Sequence, residues 1–160
     1  MSKIYNREKA VQYARKWALG RNPKYCNYDN MGGDCTNFAS QCIYAGSGVM
    51  NYTKTFGWYY VNANNKSPSW TGVNYLHNFL IRNFGGAGSI GKVVSEDKIM
   101  VGDLIQLAFV QDNFAHSLIV TKIDGNHEIF VATHTDDSLD RSLKSYNYSG
   151  IRFVHIEKVI

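Results

Sequence analysis

The sequence predicts an α+β domain in which N-terminal helices pack on an antiparallel sheet. Two observations carry this. Up to residue 84 apolar residues recur at helical spacing between Gly and Pro stops, and beyond Gly85-Gly86 they alternate instead. Asp124-Gly125-Asn126 then joins two alternating runs as a tight hairpin. Helices gathered ahead of an antiparallel sheet define the class. The 160 residues hold enough material for one domain, 1–160, with a full core and no repeat, low-complexity stretch or linker.

The first helix is predicted over 6–19. Asn6 suits its cap and Glu8 its first turn; Ala10, Val11, Ala14, Trp17 and Ala18 form its apolar face, and Gly20 and Pro23 stop it. A loop rich in Asn, Tyr and Gly leads to a second helix over 35–45, ending at Gly46. Residues 47–70 are irregular and hold Trp58, Tyr59, Tyr60 and Trp70, a composition that suits a groove wall or a packed loop. Trp58, Tyr60 and Trp70 are the candidate substrate-binding residues. A third helix follows Ser69 and Thr71, carries Val73, Leu76, Phe79 and Leu80, and ends before Gly85-Gly86. Strands are predicted at 103–107, 116–123, 127–133 and 150–157.

Composition narrows the function classes. Net charge is +4, a mild preference for anionic partners. No run of five or six basic residues occurs, so a nucleic-acid surface is not expected. No apolar run is long enough for membrane insertion, and Met-Ser-Lys-Ile-Tyr-Asn lacks the apolar centre of a signal peptide. The expectation is a protein made in the cytoplasm that works there, leaves by another route, or is trimmed from a longer chain. Three cysteines in a chain this long do not make a disulfide scaffold. Cys35 and Cys42 on one helix stand about 10 Å apart, beyond disulfide reach.

The chemistry concentrates in Gly32-Gly33-Asp34-Cys35-Thr36-Asn37-Phe38-Ala39-Ser40-Gln41-Cys42. Asp34 suits the N-cap, which sets Cys35 at the first helical position, where the helix dipole favours thiolate. A cysteine nucleophile needs a base and a group that orients the base. His116 opens one hairpin strand and His134 lies past the end of the next. With the turn centred near Gly125, 116 pairs roughly with 134 and the two imidazoles become neighbours. Cys35 then attacks a carbonyl, His116 carries the proton, His134 fixes the His116 ring, and the Cys35 amide helps bind the oxyanion. Asp136 is the alternative orienter. His77, His127 and His155 lack comparable context and read as structural.

The cysteine block resembles an amidase domain family of Gram-positive bacteria and their phages. So do Tyr5-Asn6-Arg7 with Ala10-Val11 and Tyr13-Ala14, Asn22-Pro23-Lys24-Tyr25, Gly57-Trp58-Tyr59-Tyr60, Ser69-Trp70, Gly102-Asp103, Ala115-His116-Ser117 and His134-Thr135-Asp136. The resemblance implies a papain-like fold of the NlpC or CHAP type and a cysteine–histidine–polar triad, carried here onto Cys35, His116 and His134. It also implies a tyrosine near the oxyanion site, for which Tyr25 and Tyr28 are candidates, with Asp34 in support. The implied activity is hydrolysis of an amide bond in bacterial peptidoglycan, with no cofactor and no metal. The N-acetylmuramoyl-L-alanine bond is the first expectation, and a stem-peptide or cross-bridge bond the alternative. The implied setting is a phage endolysin released by a holin, with a separate cell-wall-binding domain in a longer protein. Three other readings compete. They are a zinc amidase with His116, His134, Cys35 and an Asp as ligands, a silent wall-binding module, and a transamidase that passes the acyl group from Cys35 to an amine.

Overall fold

The computed structural model describes all residues, 1–160. Helix α1 (Arg7–Trp17) starts where the Asn6 side chain accepts the Lys9 N–H at 3.0 Å, and it buries Ala10 and Ala14. Helix α2 (Cys35–Ser47) runs past the predicted stop and ends at Gly48, in the left-handed region at φ 67°. Gly46 lies inside α2 for a packing reason. A Cβ there would stand 2.5 Å from the Tyr5 ring and 2.8 Å from the Asn6 carbonyl. That glycine marks the close approach of the α1 entry to α2, not a helix end. The predicted third helix is two pieces, α3 (Pro68–Thr71) and α4 (Val73–Arg82), parted at Gly72. A small hairpin, β1 (Tyr60–Asn62) with β2 (Asn65–Lys66), sits in the stretch expected to be irregular.

The main sheet has six strands: β3 (Ser89–Val94), β4 (Leu104–Ala108), β5 (Phe114–Ile123), β6 (Ile129–Thr133), β7 (Ser138–Ser142) and β8 (Gly150–Val159). Their order is β3-β8-β4-β5-β6-β7, with every neighbouring pair antiparallel. The four predicted strands are present; β3 and β7 are additions. Helices α1, α2 and α4 cover one face over a core that includes Phe38, Ile43, Leu80, Leu104, Ile119 and Val154. A smaller apolar layer of Ile105, Leu107, Leu118, Val120, Val131 and Leu143 lies on the other face. No helix is long and apolar enough to cross a membrane.

Trp58, Tyr60 and Trp70 do not form a groove wall. Both tryptophans are fully buried and Tyr60 is nearly so. Each polar tip has an internal partner. The Trp58 Nε1–H donates to Ser40 Oγ at 3.1 Å, and the Trp70 Nε1–H to Asn37 Oδ1 at 3.0 Å. The Tyr60 hydroxyl accepts the Cys26 N–H at 2.8 Å. With rings 5.0 to 5.9 Å apart and polar ends satisfied, these side chains bind helix α2 to the β1–β2 hairpin. Burying each contributes roughly 2–3 kcal/mol by removing apolar surface from water.

The β5–β6 connection also differs from the tight turn expected. Residues 124–128 form the loop. The Asp124 carboxylate accepts the N–H groups of Asn126 and Glu128, and His127 adopts φ 60°. Thr121 then bulges out of β5. Lys122 pairs with Phe130, but Val120 pairs with Val131. Continuing from Ile119↔Ala132, Ser117 stands across from His134. A one-residue slip sends side chains to opposite faces, so His116 and His134 are not neighbours.

Candidate active site

Gly32 and Gly33 take φ of 95° and 101°, values that a side chain disfavours, and they turn the chain sharply into α2. Asp34 follows at the cap position but makes no capping hydrogen bond. Its carboxylate turns inward instead. Oδ1 accepts the Tyr28 N–H and the Asn37 Nδ2–H, each at 2.9 Å. Oδ2 meets His134 Nδ1 at 2.5 Å and lies 3.5 Å from Arg21 Nε. His134 Nε2 donates to the Trp17 carbonyl at 2.8 Å, and the ring stacks on Phe38 at 4.1 Å. Both nitrogens of His134 are therefore occupied. It orients the α1 and α2 ends, not the His116 ring, and it has no free nitrogen for a metal. No three His, Cys, Asp or Glu side chains converge as ligands.

Cys35 opens α2 as expected, 7 % exposed. Its ionisation departs from expectation. Burial pushes the thiol above its ordinary range, and hydrogen bonds from the Ser117 and Thr36 backbones and the Thr36 hydroxyl only partly oppose this. The thiol is thus the resting form, and the helix dipole does not make a standing thiolate. Thr36 Oγ1 meets Ser117 Oγ at 2.9 Å, which fixes the helix start against β5 one residue from His116. Cys26 and Cys42 are also free, the latter in the core.

His116 is 7 % exposed, and its ring makes no hydrogen bond to Cys35 or to any other residue. Burial, helped by the Arg141 charge and opposed by Asp136, pushes its pKa down to about 4. The imidazole is neutral at neutral pH and so able to accept a proton. It lines a cavity of about 480 Å³ with Phe109, Thr135, Asp136, Arg141 and Tyr146. A Cβ on Gly33 would lie 3.4 Å from Thr135 Oγ1, so the cavity wall adjoins the turn before Cys35. Thr135 and Asp136 both hold positive φ, 67° and 54°. For a β-branched threonine this is strained, and it is a common mark of functional turns. Of the two orienters weighed, Asp136 shares the cavity with His116 and His134 does not.

Tyr25 belongs to the aromatic cluster, 5.0 Å from Tyr60 and 5.9 Å from Trp70, not to the thiol. Tyr28 is the tyrosine tied to the Asp34 turn, through its N–H. Arg141 and Tyr146 were not foreseen, because β7 carries no alternating apolar pattern that would have revealed it.

A family model described as "Putative amidase domain" matches residues 4–156. Among curated proteins, the uncharacterized protein YhbB of Bacillus subtilis (strain 168) is 35% identical over 137 residues, covering 84% of this chain and 42% of its own length. The uncharacterized protein YjcM of the same strain is 28% identical over 165 residues, covering 95% of this chain and 36% of its own. The chain thus spans about two fifths of these relatives. No solved structure matches it. With the match running through the Cys35 turn, His116 and His134, the chain belongs to the family of the putative amidase domain.

Proposed function

We propose that this domain is a thiol amidase that hydrolyses an amide bond of bacterial peptidoglycan, on a papain-like fold of the NlpC or CHAP type. The observation that carries the reading is the Cys35–Ser117–His116 junction. A thiol at the start of a 13-residue helix meets the strand backbone immediately beside a neutral, buried imidazole that faces a cavity. Membership of an amidase family supports it.

In the proposed reaction the Cys35 thiol passes its proton to His116 as sulphur bonds to the amide carbonyl carbon. The oxyanion forms beside the N-terminal amides of α2. His116 returns the proton to the leaving nitrogen as the C–N bond breaks. Water, deprotonated by His116, then cleaves the thioester to give the carboxylic acid and the free thiol. Substrate binding brings ring and sulphur into line, as catalytic hydrogen bonds often tighten only in the complex. Asp136 steadies the transient imidazolium. The muramoyl–L-alanine bond is the first candidate, and wall lysis in a longer, wall-anchored protein is the proposed setting.

Clearing of purified Gram-positive walls tests this. The native chain should clear them with or without EDTA, and Cys35→Ala should lose at least ~1,000-fold. The acid limb of kcat/KM should lie near the His116 value of about 4. Clearing that persists in Cys35→Ala, or that stops in EDTA and returns with zinc, sinks the proposal.

A further inference from the structure

One cation in the His116 cavity is held rigid yet has no anionic partner. Arg141 lies on the outer strand β7, half-buried, with its guanidinium carbon 3.8 Å above the Tyr146 ring. Nε donates to Ser145 Oγ at 2.7 Å, and Nη2 leans on the Ser145 carbonyl at 3.5 Å. Stacking and the Nε bond fix the plane, and no carboxylate is bonded to the guanidinium. Arg7, Arg15 and Arg21 pair with Asp103, Asp140, and Asp29 and Asp137, and Arg152 is held by Gln106 and Asn74. Arg141 forms no salt bridge, although Asp136 lines the same cavity. A stacked, pre-ordered guanidinium with open N–H groups is the geometry that takes a carboxylate, since little side-chain freedom is left to lose. Phe109, 46 % exposed, gives the mouth an apolar lip.

We propose that Arg141, fixed over Tyr146 in the His116 cavity, is a carboxylate clamp that selects acyl-amide substrates carrying a free carboxylate near the scissile bond. This rests on the hydrolase reading above and adds the charge of the preferred substrate. Arg141 faces His116, as its charge helps to hold that imidazole down. A carboxylate seated on Arg141 therefore stands within the same cavity as the base. Because Asp136 repels anions elsewhere in the cavity, the clamp sets orientation as well as charge.

Two wall fragments test the clamp, N-acetylmuramoyl-L-alanyl-D-glutamate and its diamide. The native chain should prefer the diacid by roughly 10–100-fold in kcat/KM, mostly through KM. Arg141→Gln should bring the ratio close to one, and Arg141→Lys should keep part of it, as a point charge without the fork. Lys144→Gln, which removes an exposed charge three residues away, should keep the preference. Binding of both fragments to Cys35→Ala, with and without Arg141→Gln, decides the clamp independently of turnover. There the diacid should bind at least ~10-fold tighter only when Arg141 is present. It should also raise the His116 ring pKa, followed by NMR, by neutralising the neighbouring cation. Turnover of both fragments without preference, or a preference that survives Arg141→Gln, overturns the clamp. Failure of the native chain to cleave either fragment counts against the hydrolase reading, and the binding ratio still decides the clamp. Equal binding of diacid and diamide refutes it.

Discussion

Asp34 and Asp103 are built from the same parts and do different work. Both are essentially fully buried. Asp103 accepts from Arg7 Nη1 at 2.7 Å, His155 Nδ1 at 2.8 Å, and the N–H groups of Met100 and Ile156 at 2.9 Å. Asp34 gathers His134, Arg21, Asn37 and the Tyr28 N–H. Each ties a helix end to the sheet through a histidine and an arginine. Asp103 joins the start of α1 to β4 and β8, with no nucleophile beside it, whereas Asp34 is followed by Cys35. A buried Asp–His pair is therefore a structural joint by default in this molecule. What sets one of the two apart is the adjacent thiol, which inherits the rigidity of the joint.

The largest expected effect is on stability at both joints. Asp34→Ala and Asp103→Ala should each cost about 3–5 kcal/mol in urea unfolding, because each strips several buried donors of their acceptor, and Asp103→Ala also leaves Arg7 without its carboxylate. The comparison is then sharpened by the rate of Cys35 alkylation in a Cys26→Ser background, under conditions where both variants remain folded. Asp34→Ala should change it and Asp103→Ala should not; equal changes would break the distinction.

A third histidine supplies the next contrast, because His116 has no carboxylate bonded to it. Its pKa is pushed from 6.5 down to about 4, so between those values the unfolded chain binds a proton that the folded chain refuses. Stability is present in full above 6.5 and falls as pH drops toward 4, by on the order of 3 kcal/mol. His116→Gln should flatten that slope relative to the native chain, measured by denaturant midpoints across the window. An unchanged slope would show that the ring is solvated in solution.

The smallest contrast lies between the two joint histidines. The His134 side chain is 2% exposed, bonded at both nitrogens and stacked on Phe38; that of His155 is 18% exposed. His134→Gln should cost about 2–3 kcal/mol and His155→Gln about 1. The reverse order would mean that Asp103 is the more demanding joint.

The sequence made the helical half and the Cys35 position legible because apolar spacing and a glycine turn are local signals. The strands at 104–108, 114–123, 129–133 and 150–159 were legible for the same reason. Strand β3 escaped notice because Gly91 interrupts its pattern, where a Cβ would come 3.1 Å from the His155 carbonyl. Strand β7, Ser-Leu-Asp-Arg-Ser, has no buried residue to betray it. The roles of Trp58, Tyr60 and Trp70 were misassigned because an aromatic residue announces size and a polar tip, but not which side of the surface it occupies. The pairing of His116 with His134 failed on a single residue of register. Nothing local to Ala115-His116-Ser117 reports a loop centred on 126, one residue later than expected, or a bulge five positions away that takes back half of that shift.

That bulge has a consequence for how such a domain can change. Thr121 is pinned there by its hydroxyl on Asp140 at 2.8 Å and by Arg15 on its carbonyl at 3.3 Å. It is a half-step in the strand, letting Leu118, Val120 and Ile123 share one apolar layer despite their uneven spacing. Surface loops elsewhere are free to lengthen. Between 116 and 134, by contrast, residue number acts as a reading frame in space: Thr121 is the one surplus residue, and deleting Ile119 in its place would put Leu118 and Val120 on opposite faces. Descendants of this chain can therefore vary the letters along that stretch far more readily than they can vary its length.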